Sequence, residues 1–302
     1  MSEKKRKTKA QRIYSVLSSR KRINQDLIEL YKSQREQEFL QQFLDFYKKP
    51  SWFIMNLPHK KIILLVLAHE NEDYNKFKSV WLKYINKFEN DVKVYFVYGN
   101  STFDLNSNHD LVFHNIQENY KDGLILKTVE ALEYINKNWN YDYVVRTNIS
   151  SFWDLNNLLL YTDSFSRENF YGGPLRTKFP SFIRGEAIIF SKDVSLKVCE
   201  NKKLLNLEHA EDRSFFNLVS KNLNIIPTDL IKKTVYIVDE ISSNFNTEEI
   251  SYKIDHLSKE KDKPYHYRIK HIKHTYRNRF NVDVSIMKYL CNKIYGIEWI
   301  ER

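Results

Sequence analysis

The sequence predicts an α/β protein, a mainly parallel sheet flanked by helices with an N-terminal helical extension. Three observations carry this. Ile62–Ala68 is a wholly apolar run of strand length, the kind buried on both faces of a parallel sheet. From there to Tyr98 the pattern reads strand, helix, strand, a βαβ unit whose crossover is expected to be right-handed. Residues 119–152, NYKDGLILKTVEALEYINKNWNYDYVVRTNISSF, then give an amphipathic helix, a buried strand and a polar turn at that strand's C-terminal end. In an open α/β sheet that end is where ligands bind.

The elements follow in order. Residues 1–55 form a basic helical extension, and 56–302 form the main domain. Lys4, Lys5, Arg6, Lys7 and Lys9 make a basic tip. Ile13, Val16, Leu17, Ile23, Leu27, Tyr31, Phe39, Phe43 and Tyr47 follow at helical spacing until Lys49-Pro50. This unit is either an arm for nucleic acid or an acidic membrane, or a helix packed on the domain or on a second copy in a homo-oligomer. Residues 71–88 are expected as a helix with Phe77, Val80, Trp81, Tyr84, Ile85 and Phe88 inward. Val92–Tyr98 is a strand ended by Gly99-Asn100. Residues 110–118 are a short strand and loop. The helix of the 119–152 stretch presents Leu124, Leu126, Val129, Leu132 and Ile135, and its strand is centred on Tyr143–Val145. Asp154 has the place of an N-cap for a short helix to Tyr161. A turn at Tyr171–Pro174, a helix over 193–201, a helix after Glu211, a strand near Asn224–Ile226, an extended segment at 265–271 and a helix over Val282–Ile294 complete the pass.

Composition bounds the function. The chain of 302 residues carries a net charge of +10, with a pI of about 9.2. That balance favours an anionic ligand such as nucleic acid, a membrane surface or a nucleotide diphosphate, without choosing among them. The bias toward Lys, Asn, Ile, Tyr and Phe reads as that of an AT-rich genome. Cys199 and Cys291 make neither a disulfide framework nor a zinc pattern, which points to a reducing compartment and a cytoplasmic location. No window reaches the apolar length of a membrane span, and no signal peptide is evident, so a soluble protein is expected.

Tyr120, Leu124, Lys127, Thr128, Trp139, Arg146 and Phe152 fall where the β-1,3-galactosyltransferases, family 31 of the glycosyltransferases, carry their Tyr…Asn-Leu-Thr-x-Lys-Thr…Trp…Lys-x-Asp-Asp-Asp-x-Phe pattern. Trp81 and Gly99 fit the same family's opening. Phe179–Asp193 (FPSFIRGEAIIFSKD) resembles its glycine-containing segment through Gly185 and Ser191, departing at Glu186 and Ala187. Glu211-Asp212 stands at its Glu-Asp-Val. The chain resembles that family over about residues 60–227, which implies a GT-A fold and an inverting hexosyl transfer. The donor implied is a nucleotide sugar, UDP-linked, and the acceptor a glycan or a protein-borne glycan. The aspartates that hold a metal in such enzymes are replaced by Asn148, Ile149 and Ser150.

Sugar transfer needs a base for the acceptor hydroxyl and neutralisation of the leaving diphosphate. The resemblance makes Asp212 the base, with Glu211 orienting it or the donor; taken alone, the pair could be a helix first turn favoured by the macrodipole. Arg146, Asn148 and Ser150 are expected to contact the ribose or donor sugar, or else to satisfy a turn. Arg184 and Gly185 would approach the donor. Lys127 either contacts the donor or pairs with an acidic neighbour. Arg268 and Lys270 alternate on an extended segment and would share one side, where they either bind phosphate or form a solvated strand. A hard cation wants carboxylate oxygens. Asn148 and Ser150 offer neutral ones, so no cofactor is required. If Mn²⁺ binds, Asp154 and His266 are the remaining candidates. Two other classes stay open: a catalytically silent sugar- or nucleotide-binding protein, and a basic nucleic-acid-binding protein.

Overall fold

The computed structural model describes residues 57–100, 107–119, 122–237, 248, 251–252, 255–256, 263–269 and 279–299. The chain divides into two compact units, Met1–Leu57 and Pro58–Arg302. The helical extension expected over 1–55 lies outside the described residues.

The second unit begins with strand β1 (His59–Leu67), helix α1 (Glu72–Ile85), β2 (Val92–Tyr98) and β3 (Asp110–Val112). Then come α2 (Asp122–Asn138), β4 (Asn140–Asn148), β5 (Ser151–Trp153) and α3 (Leu155–Thr162). Three short strands follow, β6 (Tyr171–Gly173), β7 (Leu175–Arg176) and β8 (Phe182–Ile183), ahead of β9 (Ala187–Ser191). Helices α4 (Lys192–Glu200) and α5 (Glu211–Phe216) lead to β10 (Pro227–Asp229) and β11 (Thr234–Ile237). Strand β12 (His266–Ile269) and helix α6 (Arg279–Tyr295) come last.

Seven strands form the main sheet in the order β10-β6-β9-β4-β1-β2-β3. All run parallel except β9, which is antiparallel to both its neighbours. This is the mainly parallel α/β architecture the apolar runs predict. Alternation along β1 divides the core. Ile62, Leu64 and Val66 join the residues of α1 and α6 on one face, while Ile63, Leu65 and Leu67 join those of α2, α4 and α5 on the other. Each such side chain, fully buried, contributes roughly 1.5–3 kcal/mol. A second sheet, β11-β12-β5, stands beside the first, with β12 antiparallel to β5. Strands β7 and β8 form a separate hairpin, closed at its neck where Arg184 N–H donates to Pro174 O at 3.0 Å.

Two details differ from expectation. In α2, Ile125 is buried and Leu126 is 39% exposed. Ile125, Val129, Leu132 and Ile135 share a stripe, and Leu126 sits about 100° round from Ile125. The strand expected near Asn224–Ile226 begins three residues later, at Pro227, because Asn224 takes a left-handed turn conformation (φ 56°).

Candidate functional site

A cleft of about 870 Å³ opens at the C-terminal ends of β1 and β4. Its polar wall is built by a turn, two strand edges and a short helix. Asn148 ends β4, and the turn after it carries Ser150. It is held by Ile149 N–H to Leu67 O (3.2 Å), Trp81 Nε1–H to Ile149 O (3.0 Å) and Ile269 N–H to Ser150 O (3.3 Å). Because β12 pairs with β5 so that Arg268 faces Ser151, the Arg268 guanidinium reaches Ser150 and donates from Nη1 to Oγ at 2.6 Å. The reversed strand β9 brings the residues just before it, Gly185 and Glu186, to the same edge.

Glu211 and Asp212 open α5 and point into different surroundings. Glu211 is buried at 4% exposure, and Arg146, at 2%, grips it. Arg146 donates from Nε to Glu211 Oε1 at 2.9 Å and from Nη2 to Oε2, and Thr128 Oγ1 donates to Oε1 at 2.6 Å. The remaining Arg146 donor, Nη1, bonds Asn148 Oδ1 (2.8 Å) and Gly185 O. Asp212 is partly exposed in the cleft. Burial raises its pKa and the nearby Glu186 carboxylate raises it further, against the Arg213 and Gly185 N–H groups and Arg146, which lower it. A Cβ built on Gly185 would lie 3.6 Å from Asp212 Cβ and 3.5 Å from Arg146 Nη1, so these three residues meet. Those are ordinary contacts, and the glycine is not forced by packing.

The structure therefore gathers Asp212, Glu211, Arg146, Asn148, Ser150, Gly185, Arg268 and Lys127 around one cleft. Lys127 is buried at 2% exposure and its Nζ donates to Ala68 O (2.8 Å) and to both Glu118 oxygens (2.9 and 2.8 Å). This is the pairing with an acidic neighbour that the sequence offered as one alternative. Arg184 does not line the cleft. Its guanidinium lies 5.1 Å from the centre of the Tyr236 ring. Lys270 lies outside the described residues.

The two metal candidates lie elsewhere. Asp154 caps α3, accepting from Asn157 N–H (3.1 Å) and Nδ2 (2.7 Å). His266 is fully buried against the Trp153 ring, 4.5 Å between centres, with Nδ1 3.2 Å from Thr234 Oγ1. Burial, and then Arg268, pushes its pKa well down, so it stays neutral. Among the described residues, no three His, Cys, Asp or Glu side chains cluster as a metal site.

Sequence reasoning missed His69, Glu118 and Glu186 as cleft residues. His69 follows the last residue of β1, so the rule that ligands bind beyond parallel strands could have flagged it. Glu118 clamps the strand ends, accepting from Gly99 N–H (2.6 Å) as well as from Lys127. Nothing in its spacing announces that. Glu186 bonds Tyr236 Oη at 2.8 Å, a partner fifty residues away.

No protein-family model matches the sequence, and a search of curated proteins gives no significant match. Distant likenesses among solved structures include three glycosyltransferases. One is a glycosyltransferase involved in glycosylation of the major capsid of PBCV-1, at 12% identity and TM-score 0.42, covering 75% of this chain and 98% of that one. Another is the apo-form glycosyltransferase GlyE of Streptococcus pneumoniae TIGR4, at 11% identity and TM-score 0.42. It covers 78% of this chain, which spans just 63% of that protein. The third is the galactosyltransferase LgtC, solved with donor and acceptor sugar analogues, at 9% identity and TM-score 0.40, covering 78% of this chain and 97% of that one. Overlap at this level fixes neither substrate nor reaction.

Proposed function

We propose that this protein is a glycosyltransferase that moves a sugar from a nucleotide-sugar donor, a UDP-sugar, to a hydroxyl of a glycan or protein-borne glycan. The supporting observation is that Asp212, a carboxylate of raised pKa, shares the ligand edge of a parallel sheet with the Arg268–Ser150 pair. Asp212 takes the acceptor hydroxyl's proton as that oxygen attacks the anomeric carbon. The bond from that carbon to the diphosphate oxygen breaks, and its electron pair leaves with the diphosphate. Arg268 stabilises the charge that develops there. One displacement with no covalent intermediate inverts the anomeric centre. Arg146 and Glu211 act from beneath, fixing Asn148 and the Gly185 carbonyl.

No metal is needed in this scheme. The oxygens at the positions of the missing aspartates do not fit a divalent cation, because Asn148 Oδ1 accepts from one guanidinium and Ser150 Oγ from another. The experiment is a panel of nucleotide sugars tested for binding and slow hydrolysis, each with EDTA and with Mn²⁺. Binding and hydrolysis that persist in EDTA are expected. Binding that requires Mn²⁺ overturns the metal-free scheme, and binding without turnover favours a catalytically silent sugar-binding protein.

A further inference from the structure

Glu186 is a cleft residue that the chemistry above leaves unused. Its position is determined at both ends. Its carbonyl accepts from Thr147 Oγ1 at 2.7 Å, and Trp153 Nε1–H donates to that same hydroxyl at 3.0 Å. Its Oε1 accepts from Tyr236 Oη at 2.8 Å. Tyr236 comes from the second sheet, where it is the register partner of Arg268, and the Arg184 guanidinium covers its ring. Burial and the Glu186 charge both raise the Tyr236 pKa, which keeps the phenol protonated as a donor.

Among the described residues, the Glu186 carboxylate has this one hydrogen-bond donor and no ion-pair partner. An ionised carboxylate offers about four lone-pair sites, so most of its accepting capacity is unused, and the residue lines the cleft. A diphosphate is an acceptor and an anion, and Glu186 repels it. The group that fits is a neutral O–H donor held next to the base. We propose that Glu186 recognises a hydroxyl of the transferred sugar, and that Tyr236 is its positioning residue. The assignment rests on the transferase function proposed above.

The test separates sugar from nucleotide. Calorimetry would measure Kd for UDP and for the tightest-binding of UDP-glucose, UDP-galactose and UDP-N-acetylglucosamine, on wild type, E186Q, E186A and Y236F, each checked by thermal melting. UDP is expected to bind Y236F as it binds wild type, and E186Q and E186A at least as tightly, since both remove a charge that repels the diphosphate. The UDP-sugar should weaken roughly tenfold to a hundredfold in E186A, the size of a lost hydrogen bond to a charged group. The near-isosteric E186Q should show a smaller loss, and Y236F a loss of a few fold. Equal weakening of UDP and UDP-sugar would put Glu186 on the ribose or in a purely structural role, and overturn the assignment. So would an unchanged UDP-sugar affinity in E186A and E186Q. An unchanged ratio in Y236F alone removes Tyr236 as the positioning residue. A wild type that binds no nucleotide overturns the transferase function, and this assignment with it.

Discussion

The floor and the wall of the cleft use the same kinds of residue to opposite ends. On the floor, Arg146 with Glu211 is a buried pair, Lys127 is a buried lysine paired with the half-buried Glu118, and each carboxylate is gripped at both oxygens. On the wall, Asp212 and Glu186 receive one or two donors from fixed groups and face the open cleft. Glu211 and Asp212 are neighbours in the chain, and the step of about 100° between successive helical residues sends them to the two regions. Buried pairs with every oxygen occupied hold a shape. Carboxylates left with unused acceptor sites can meet a substrate.

The contrast breaks first at Asp212. Asp212→Asn should lower the turnover number by about 10²–10⁴, the usual contribution of a general base, while nucleotide affinity stays as it was. Single-turnover transfer beside calorimetry reads both. Wild-type transfer by this variant would remove Asp212 from the wall's chemistry.

The floor should fail differently. Arg146→Ala leaves Glu211 buried and unpaired, which should destabilise the fold by about 3–5 kcal/mol. Urea unfolding measures it. A variant of unchanged stability that no longer bound nucleotide would move Arg146 from the floor to the wall.

Arg268→Ala should weaken UDP binding by roughly tenfold to a hundredfold with little change in melting temperature. Wild-type affinity should also fall as salt rises, since the attraction is partly screened. Equal UDP affinity in the variant and the wild type would show that another group meets the diphosphate.

The smallest effect concerns pH. Asp212 has a raised folded-state pKa, caused first by burial. Its loss of ionisation as pH falls should therefore place the acid limb of the rate profile above the ordinary aspartate value of about 3.9. In stability the sign is reversed. A raised pKa contributes stability below the unfolded pKa, and that contribution is lost as pH rises through the folded one. Asp212→Asn should thus melt higher than wild type at neutral pH, with the gap closing in acid. Thermal melts at several pH values would check it.

Much of this fold was legible because its signals are local. The apolar run of β1, the periodicity of α1 and the capping aspartate of α3 each lie within a few residues of one another. The cleft was legible as a place, since the turn after β4 concentrates polar residues at a strand end. Its division into floor and wall was not, because that depends on pairings across long separations. Arg146 meets Glu211 over 65 residues, and Glu186 meets Tyr236 over 50. Spacing along the chain cannot say which of two adjacent carboxylates turns inward. Leu126 was misplaced for a different and local reason, since its apolar character fitted the helix but its position fell outside the stripe of Ile125, Val129, Leu132 and Ile135.

The hairpin of β7 and β8 has a consequence for how this protein can change. Its two ends meet at Pro174 and Arg184, and Gly185 follows at once beside Asp212. Phe179 lies between the two strands and is 96% exposed. A loop whose ends are already joined can be lengthened, shortened or exchanged at little entropic cost to the rest of the chain. The main sheet and the cleft floor can therefore stay constant while this segment is rewritten.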